Sequence, residues 1–490
     1  MPFGSFNRRL ELLPKDRVQM IKQAALDLLE KVGFAFRHPR ALALLEEHGA
    51  SVDRKTEVAR IPRELVLECL SKVPKEYAVS SAEGNEARFG DGSLKAVMCL
   101  ERHLVDYKTM SRRPGTTEDC IRSIALGNAL QNIGLVSPFV VPSDVPLQVA
   151  DVRGYKLVFT YSRKPGYAWI YTHASSRYII EMAKAVAGGE EELRKRKMVG
   201  YGAEPTSPLQ LSHHALEIMF EMARHGLPIS ASGSMTLLGG TSPITPAAGV
   251  TLHTAETLAG IVLVNLIDPE APASFSTSVH VLDQRTLLCS FGAPENILSS
   301  LAGIQVAREL GLSCNANVVL SDSNIPDFQC GFEKAMGVGL AIAAGAEGIG
   351  HQGIVGADQG ASFNQLVIDD EWLGYANRLF SGMQVDEESI ALEVMEKVGV
   401  GGSFLRQPHT LRNLRSQTWY PRLFNRNDWA SWVRRGHSDV LDASATLLDS
   451  LLKENYPPAK VIDRDTAMEL ARIEKRAARE LARTPAPALT

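Results

Sequence analysis

The sequence predicts an α/β fold, a (β/α)8 barrel of the TIM type with helical extensions at both ends. Three observations predict it. Between residues 95 and 385 a short apolar or small-residue run, a polar glycine-rich turn and a helical stretch recur in order. Eight such runs can be counted. None of the early strand-helix turns carries GxGxxG or GxxxxGK[ST], the phosphate loops that open doubly wound sheets, so a closed barrel is the better reading.

The elements follow in chain order. Val18, Ile21, Ala25, Leu28 and Leu29 recur at three- and four-residue steps in the 15–50 stretch and end at Gly33, marking a leading helix. A second helix is expected over 62–73, starting at a proline and closing before Pro74. Strand-like runs follow at 77–81, 96–100 and 105–109. The barrel strands are expected at 97–100, 134–141, 166–172, 198–203, 228–233, 272–279, 313–320 and 347–355. The helices between them are expected at 117–131, 177–186, 214–225, 247–267, 294–310, 327–344 and 365–379. After residue 385 the cadence stops, which divides the chain into a 1–94 extension, a 95–385 catalytic barrel and a 386–490 helical extension. The last helix, 464–481, is heavily charged and reads as solvated or partner-facing, and its Pro/Ala tail as frayed.

Composition narrows the partners. A net charge of −4, spread along 490 residues, offers no broad basic field, so nucleic acid is not expected. The first residues have no apolar stretch of signal-peptide length, and the longest greasy run, 258–267, contains Asn265, so no membrane span is expected. The six cysteines are far apart and form no CxxC, which suits a reducing cytoplasm.

Two regions combine polar residues with chain-breaking ones at strand ends. The 230–246 loop is rich in Gly, Ser and Thr, and its small residues would let a bulky ligand approach the backbone; it is otherwise a flexible connector. The 314–334 segment and the 350–360 turn bring Asn317, Asp322, Asp327 and His351 to adjacent strand ends, with Ser323 and Asp327 also explicable as helix caps.

At these residues the chain resembles a known family, the trimethylamine methyltransferase family of corrinoid-dependent enzymes. The resemblance rests on SGSMTLLGGTSPITPAAGVTLHTAETLAG, SDSNIPDFQCGFEKA, ASFNQLVIDDEWLG and HTLRNLRSQTWYPRLFNR, and runs over nearly the whole chain. It implies a barrel that moves a methyl group from an amine to the cobalt of a cobalamin carried by a separate corrinoid protein. Family members acting on trimethylamine contain pyrrolysine, whereas this chain uses only the standard twenty residues. The resemblance is therefore to the non-pyrrolysine branch, similar to glycine betaine methyltransferase, with quaternary amines as substrates.

A quaternary ammonium has no N–H to donate, so its site must rely on aromatic faces and carboxylates. Phe139, Trp169, Tyr171, Phe275 and Phe363 lie at expected strand ends, with Glu204, Asp322 and Asp358 as candidate anions. A betaine carboxylate would need an imidazole or cation, for which His351, His280 and His173 are candidates. The expected catalytic residues are His351, Asp322 and Glu204. The expected substrate contacts are Phe139, Trp169, Tyr171, Phe275, His280, Asn317 and Phe363. Ser232, Gly233, Ser234, Gly239 and Gly240 are expected to face the partner's cobalamin. No metal is expected, because there is no HxC or CC pair and His213 and His214, being adjacent, would point apart on a helix. Arg412, Arg415 and Arg422 form either a surface for an acidic corrinoid partner or a packed elbow. A homo-oligomer is expected; the rival reading from another class is a non-catalytic quaternary-amine binding protein.

Overall fold

The computed structural model describes residues 9–233 and 235–483. At its centre is a curled parallel sheet of seven strands. In spatial order these are Ile133–Leu135, Lys95–Met98, Gly348–Gln352, Cys314–Ala316, Ala273–Thr277, Ile229–Ser230 and Tyr201–Gly202. The first strand in the chain pairs with the last, Ile349 opposite Ala96 and Gln352 opposite Met98. An isolated parallel bridge between Val136 and Gly166 adds an eighth segment beside Ile133–Leu135. Among the described residues no pairing joins the Gly166 segment to Tyr201–Gly202. Each of the eight segments overlaps an expected run, six of them lying inside it, while Lys95–Met98 starts two residues before the expected 97–100 and Ile133–Leu135 one residue before the expected 134–141.

Long helices cover the outside of the sheet. Thr117–Ala129, His173–Ala187, His213–Ala223, Pro246–Ile267, Pro294–Glu309, Phe328–Ala344 and Phe363–Phe380 match the expected helices to within a few residues at most ends. An eighth, Ala150–Tyr161, was not expected. Its sequence ADVRGYKLVFTY mixes Gly154 with β-branched and aromatic residues, a weak helical signal. Packing overrides propensity here: a Cβ on Gly154 would stand 3.3 Å from Pro138 and 3.6 Å from Ala168. The Pro246–Ile267 helix is apolar enough over its 22 residues to cross a membrane by composition, yet 83% of its apolar window is buried inside the fold. Neighbouring helices, including Lys15–Lys31 and Arg63–Lys72, cover it.

The hairpin Tyr77–Ser80/Glu86–Phe89 plugs one end of the sheet's inner face, where Ala87 and Phe89 pack with Leu135 and Val97. At the other end, beyond the carboxyl ends of the strands, further short strands form a rim. His103–Asp106 pairs with Ser111–Pro114, and Val279–Asp283 with Leu288–Ser290 and Thr236–Leu238. The 230–246 loop is thus part of a small sheet and not a flexible connector.

The last helix corrects its expectation. Arg464–Leu481 buries Leu470, Ile473, Ala477 and Leu481 on one stripe, packed on His173–Ala187, and Glu474 receives Arg153 and Lys156. Its charges sit on the flanks of a packed face. The Pro/Ala tail expected to fray lies outside the described residues. All six cysteines are free and five are buried.

Candidate active site

Alternation along the third strand segment decides which side chains enter the mouth. Gly166 and Ala168 face the Ala150–Tyr161 helix: a Cβ on Gly166 would come within 2.5 Å of Val158, and one on Gly154 within 3.6 Å of Ala168. Tyr167, Trp169 and Tyr171 therefore face inward. The Tyr167 hydroxyl donates to the Met98 carbonyl (2.8 Å), and Trp169 meets Tyr171 edge-on at 6.4 Å. Trp169 keeps 37% of its surface exposed, so this part of the inner face opens to water. Buried Asp151 fixes the end of this segment by accepting the Tyr171 N–H (2.8 Å) and the Ser175 hydroxyl (2.5 Å). Burial holds the Asp151 carboxyl up at about 6, against those hydrogen bonds.

Three carboxyl groups share the mouth. Glu101, one residue past the expected first strand, is buried, and its carboxyl is pushed up to about 10 by burial, by the charge of Asp358 and by a hydrogen bond with it. Glu101 is thus protonated at neutral pH. Glu204 is raised for the same two reasons, burial first and then Asp358, while its side chain still reaches solvent. Asp358 is held in the left-handed region at φ 64°, beside Ala357 at 51°, and His351 stands at 68°. Non-glycine residues in this region are strained and persist only where surrounding contacts enforce them.

Opposite the carboxyls lie neutral imidazoles. His280 is fully buried and is driven down to about 3 by burial, then by His351 and His253. Its Nε2 lies 3.4 Å from both the Ser278 hydroxyl and the Asn317 amide nitrogen. His280 Nδ1, Asn317 Oδ1 and Gln352 Oε1 are buried with no hydrogen-bond partner among the described residues. Unpaired buried polar atoms are costly. Burial likewise lowers His351, with Asp358 opposing and Lys334 adding to the shift.

The structure keeps Glu204, His351, His280, Asn317, Trp169, Tyr171 and Asp358 at this mouth and removes several other expected residues. Phe275 faces outward, edge-on to His253 at 5.6 Å and beneath Gly303. Phe139 is fully buried and stacks on Phe363 at 5.4 Å, so both are packing residues. Asp322 spends its oxygens on the Ser290 hydroxyl and the Phe291 N–H, fastening the rim. His173 faces Glu217 and Glu221 at the start of its helix, 3.3 and 3.5 Å away. There Glu217 also meets His38 and His213, and these three form one group with metal-ligand spacing that adjacent His213 and His214 did not suggest. Asp327 is a helix cap, accepting from Cys330 N and the Ser323 hydroxyl.

The 232–240 residues divide as well. Ser232 is buried, its hydroxyl 3.4 Å from the Ser274 carbonyl, and a Cβ on Gly233 would lie 2.7 Å from Glu204. Gly239 (φ 79°) and Gly240 form an exposed turn. Ser234 lies outside the described residues. Arg412, Arg415 and Arg422 are all exposed, and the backbone N–H of Arg422 donates to Glu371 (2.8 Å).

Sequence reasoning passed over Glu101, Tyr167 and the run Asp369-Asp370-Glu371. Each of those acids ties down a different segment. Asp369 binds Lys334 and Gly353 N, Asp370 binds Asn132 N, and Glu371 accepts from the N–H groups of Arg422, Leu423 and Phe424. Gly353 itself (φ 91°) lies where a Cβ would be 2.6 Å from the Phe139 ring. Gly353→Ala is expected to destabilise the fold by about 2–4 kcal/mol, combining positive-φ strain with overpacking. Urea unfolding measures it, and a change under 0.5 kcal/mol would contradict this packing.

A model of the family described as trimethylamine methyltransferase matches residues 5–481. The chain belongs to the trimethylamine methyltransferase family. It is a methyltransferase. Among relatives within that family, trimethylamine methyltransferase MttB of Desulfitobacterium hafniense is 28% identical over 445 residues, 90% of this chain and 89% of that one. Trimethylamine methyltransferase MttB1 of Methanosarcina acetivorans is 30% identical over 478 residues, 96% and 95% of the two chains. Glycine betaine methyltransferase of D. hafniense is 26% identical over 462 residues, 93% and 95%. The crystal structure of Methanosarcina barkeri monomethylamine methyltransferase covers 91% of this chain and 90% of its own, at 11% identity and a TM-score of 0.49, too loose an overlay to argue from.

Proposed function

We propose that this methyltransferase demethylates a quaternary amine resembling glycine betaine, passing the methyl group to the cobalt of a corrinoid carried by a separate partner protein. The observation that carries the reading is the mouth itself: Trp169 and Tyr171 on one side and the Glu204, Asp358 and Glu101 carboxyls on the other. Aromatic faces with anionic charge nearby bind a cation that has no N–H to donate. A glycine betaine methyltransferase among the relatives and a chain of standard residues throughout support the same substrate class.

The chemistry asks little of the protein. Displacement at a methyl of a quaternary nitrogen breaks one C–N bond, leaves the electron pair on nitrogen and releases a neutral tertiary amine. No proton has to be supplied. The corrinoid, as co-substrate, provides the nucleophile. The chain must orient the cation, exclude water and leave one face open. Unpaired His280 Nδ1 would donate to a substrate carboxylate, with neutral His351 beside it. A docked partner would meet Met110, Ile244 and Leu287, which stand exposed on three separate rim elements.

In this reading the 95–385 region closes as a complete (β/α)8 barrel with its mouth at the strands' carboxyl ends, flanked by the 1–94 and 386–490 extensions, and the enzyme works in the cytoplasm. The deciding experiment incubates the protein with reduced cobalamin and glycine betaine, proline betaine, carnitine, γ-butyrobetaine, choline or trimethylamine, and follows the methylcobalamin spectrum. Turnover with a quaternary amine is expected, and its absence with every compound defeats the proposal. Trp169→Ala should raise KM roughly 3- to 30-fold, the about 0.5–2 kcal/mol of a cation–π contact. Phe332→Ala, on an exposed helix face, should leave KM unchanged.

A further inference from the structure

A cluster of imidazoles and carboxylates shares no residue with the mouth. It sits where Phe34–Phe36 pairs in parallel with Gln210–Leu211, joining the N-terminal region to the segment that leads into the His213–Ala223 helix. His38 caps the Pro39–Glu47 helix, His213 opens the His213–Ala223 helix, and Glu217 follows His213 by four residues on the same helical face. His38 Nε2 lies 2.9 Å and His213 Nε2 3.6 Å from one oxygen, Glu217 Oε1. The three ligand atoms all fall within 4.8 Å of one another.

The partners of each ring decide where its hydrogen sits. His213 Nδ1 faces the Arg37 carbonyl at 3.1 Å, and a carbonyl only accepts, so Nδ1 carries the hydrogen. Its Nε2 is then a bare lone pair turned toward a carboxylate, an opposition that a cation between them relieves. An imidazole whose other nitrogen donates to a backbone carbonyl is oriented as metal-ligating histidines are. His173 Nδ1 stands 3.3 Å from Glu217 Oε2, so this one carboxylate has imidazoles on both sides.

We propose that His38, His213 and Glu217 form a zinc site with water in the fourth position, fastening the two segments together at the surface. Two imidazoles and a carboxylate are zinc's ligand types, and two ligands at i and i+4 on one helix face is a spacing that metal-binding helices use. Binding has costs. His38 Nδ1 accepts from Arg40 N (3.1 Å), and an ion on Nε2 moves the ring hydrogen to Nδ1 and breaks that cap. The His38 and His213 rings are stacked with centroids 4.7 Å apart, so one must turn to aim at a shared ion, and the His213 side chain, 62% exposed, has the room. The positive end of the helix also opposes a cation. These costs make the affinity micromolar and not nanomolar. The inference does not depend on which amine is the substrate.

Calorimetric titration of the untagged, metal-stripped full chain with zinc sulfate tests it. One equivalent should bind with a Kd of about 1–10 µM. His213→Ala and Glu217→Gln should each weaken binding at least about tenfold through the loss of one ligand, while His214→Ala, next door and also exposed, should leave it unchanged. No saturable binding, or His213→Ala and Glu217→Gln proteins that bind as tightly as the wild type, overturns the proposal. Carbethoxylation of the wild type decides the matter even if a variant does not fold. Zinc should shield His213 from diethylpyrocarbonate and leave His214 reactive, and a His213 equally reactive with and without zinc would overturn the site.

Discussion

Lys334→Met is expected to cost about 3–5 kcal/mol of folding stability, because it strands a charge that nothing else in its surroundings can neutralise. Lys334 and Asp369 are 3% and 0% exposed, and the Lys334 ammonium lies 3.0 and 3.2 Å from the two carboxylate oxygens. Asp369 also accepts from Gly353 N (2.6 Å), the Gln365 amide (2.8 Å) and the Trp372 indole (2.9 Å), and Lys334 donates to the Ile354 carbonyl (3.2 Å). Every one of these contacts holds the 351–358 turn or the helix after it. Without the cation, Asp369 must take up a proton or draw in water, and either loosens the turn that keeps His351 and Asp358 at positive φ. Denaturant unfolding should show the loss, and kcat/KM should fall with it. Adding Asp369→Asn should recover part of the stability, since removing the second charge removes the penalty of the first. A loss under 1 kcal/mol, or no recovery in the double variant, would show that the pair is not what secures the turn.

How much of this was readable from sequence depends on which physical signal each feature carries. Strand positions were readable because turns and glycines punctuate them. Which face of a strand points inward was not. Central strands of a parallel sheet are buried on both sides and show no alternation of polarity, so Phe275 and Trp169 give the same signal in sequence. Only the contacts of Gly303 with Phe275, and of Gly166 with Val158, separate the outward ring from the inward one. Asp322 and Asp358 pose the same difficulty. Both are acids past a strand end, but one is used up by Ser290 and Phe291 while the other faces Glu101 and Glu204. Glu101 directly follows the expected first strand, 97–100, and could have been found by asking for the first acid after each strand. Asp369, Asp370 and Glu371 have long-range roles reaching Lys334, Asn132 and Arg422, and no local pattern reports them.

Glu204→Gln is expected to lower kcat/KM for the cationic substrate roughly 5- to 30-fold, the about 1–2 kcal/mol of removing one charge from an ion pair that still reaches solvent. The pH profile should change with it. Burial and Asp358 hold the folded Glu204 carboxyl above its ordinary 4.5, so it is neutral at low pH and ionises only at a pH beyond that value. Substrate affinity should therefore improve as pH rises above 4.5 and level off once Glu204 is charged. Glu101, held near 10, stays protonated across this window and contributes no second step, while His280, lowered to about 3, stays neutral. The rise in affinity should thus follow a single ionisation and vanish in Glu204→Gln. Glu101→Gln should keep the rise, because its amide replaces a carboxyl that was already neutral. It should also improve stability at alkaline pH: a carboxyl with a raised folded pKa stabilises less and less as pH climbs from 4.5 toward 10. Steady-state KM measured from pH 5 to 9 on the three proteins separates these effects. A profile in Glu204→Gln that still rises like the wild type would place the charge that meets the substrate on a different carboxylate, with Asp358 the next to replace.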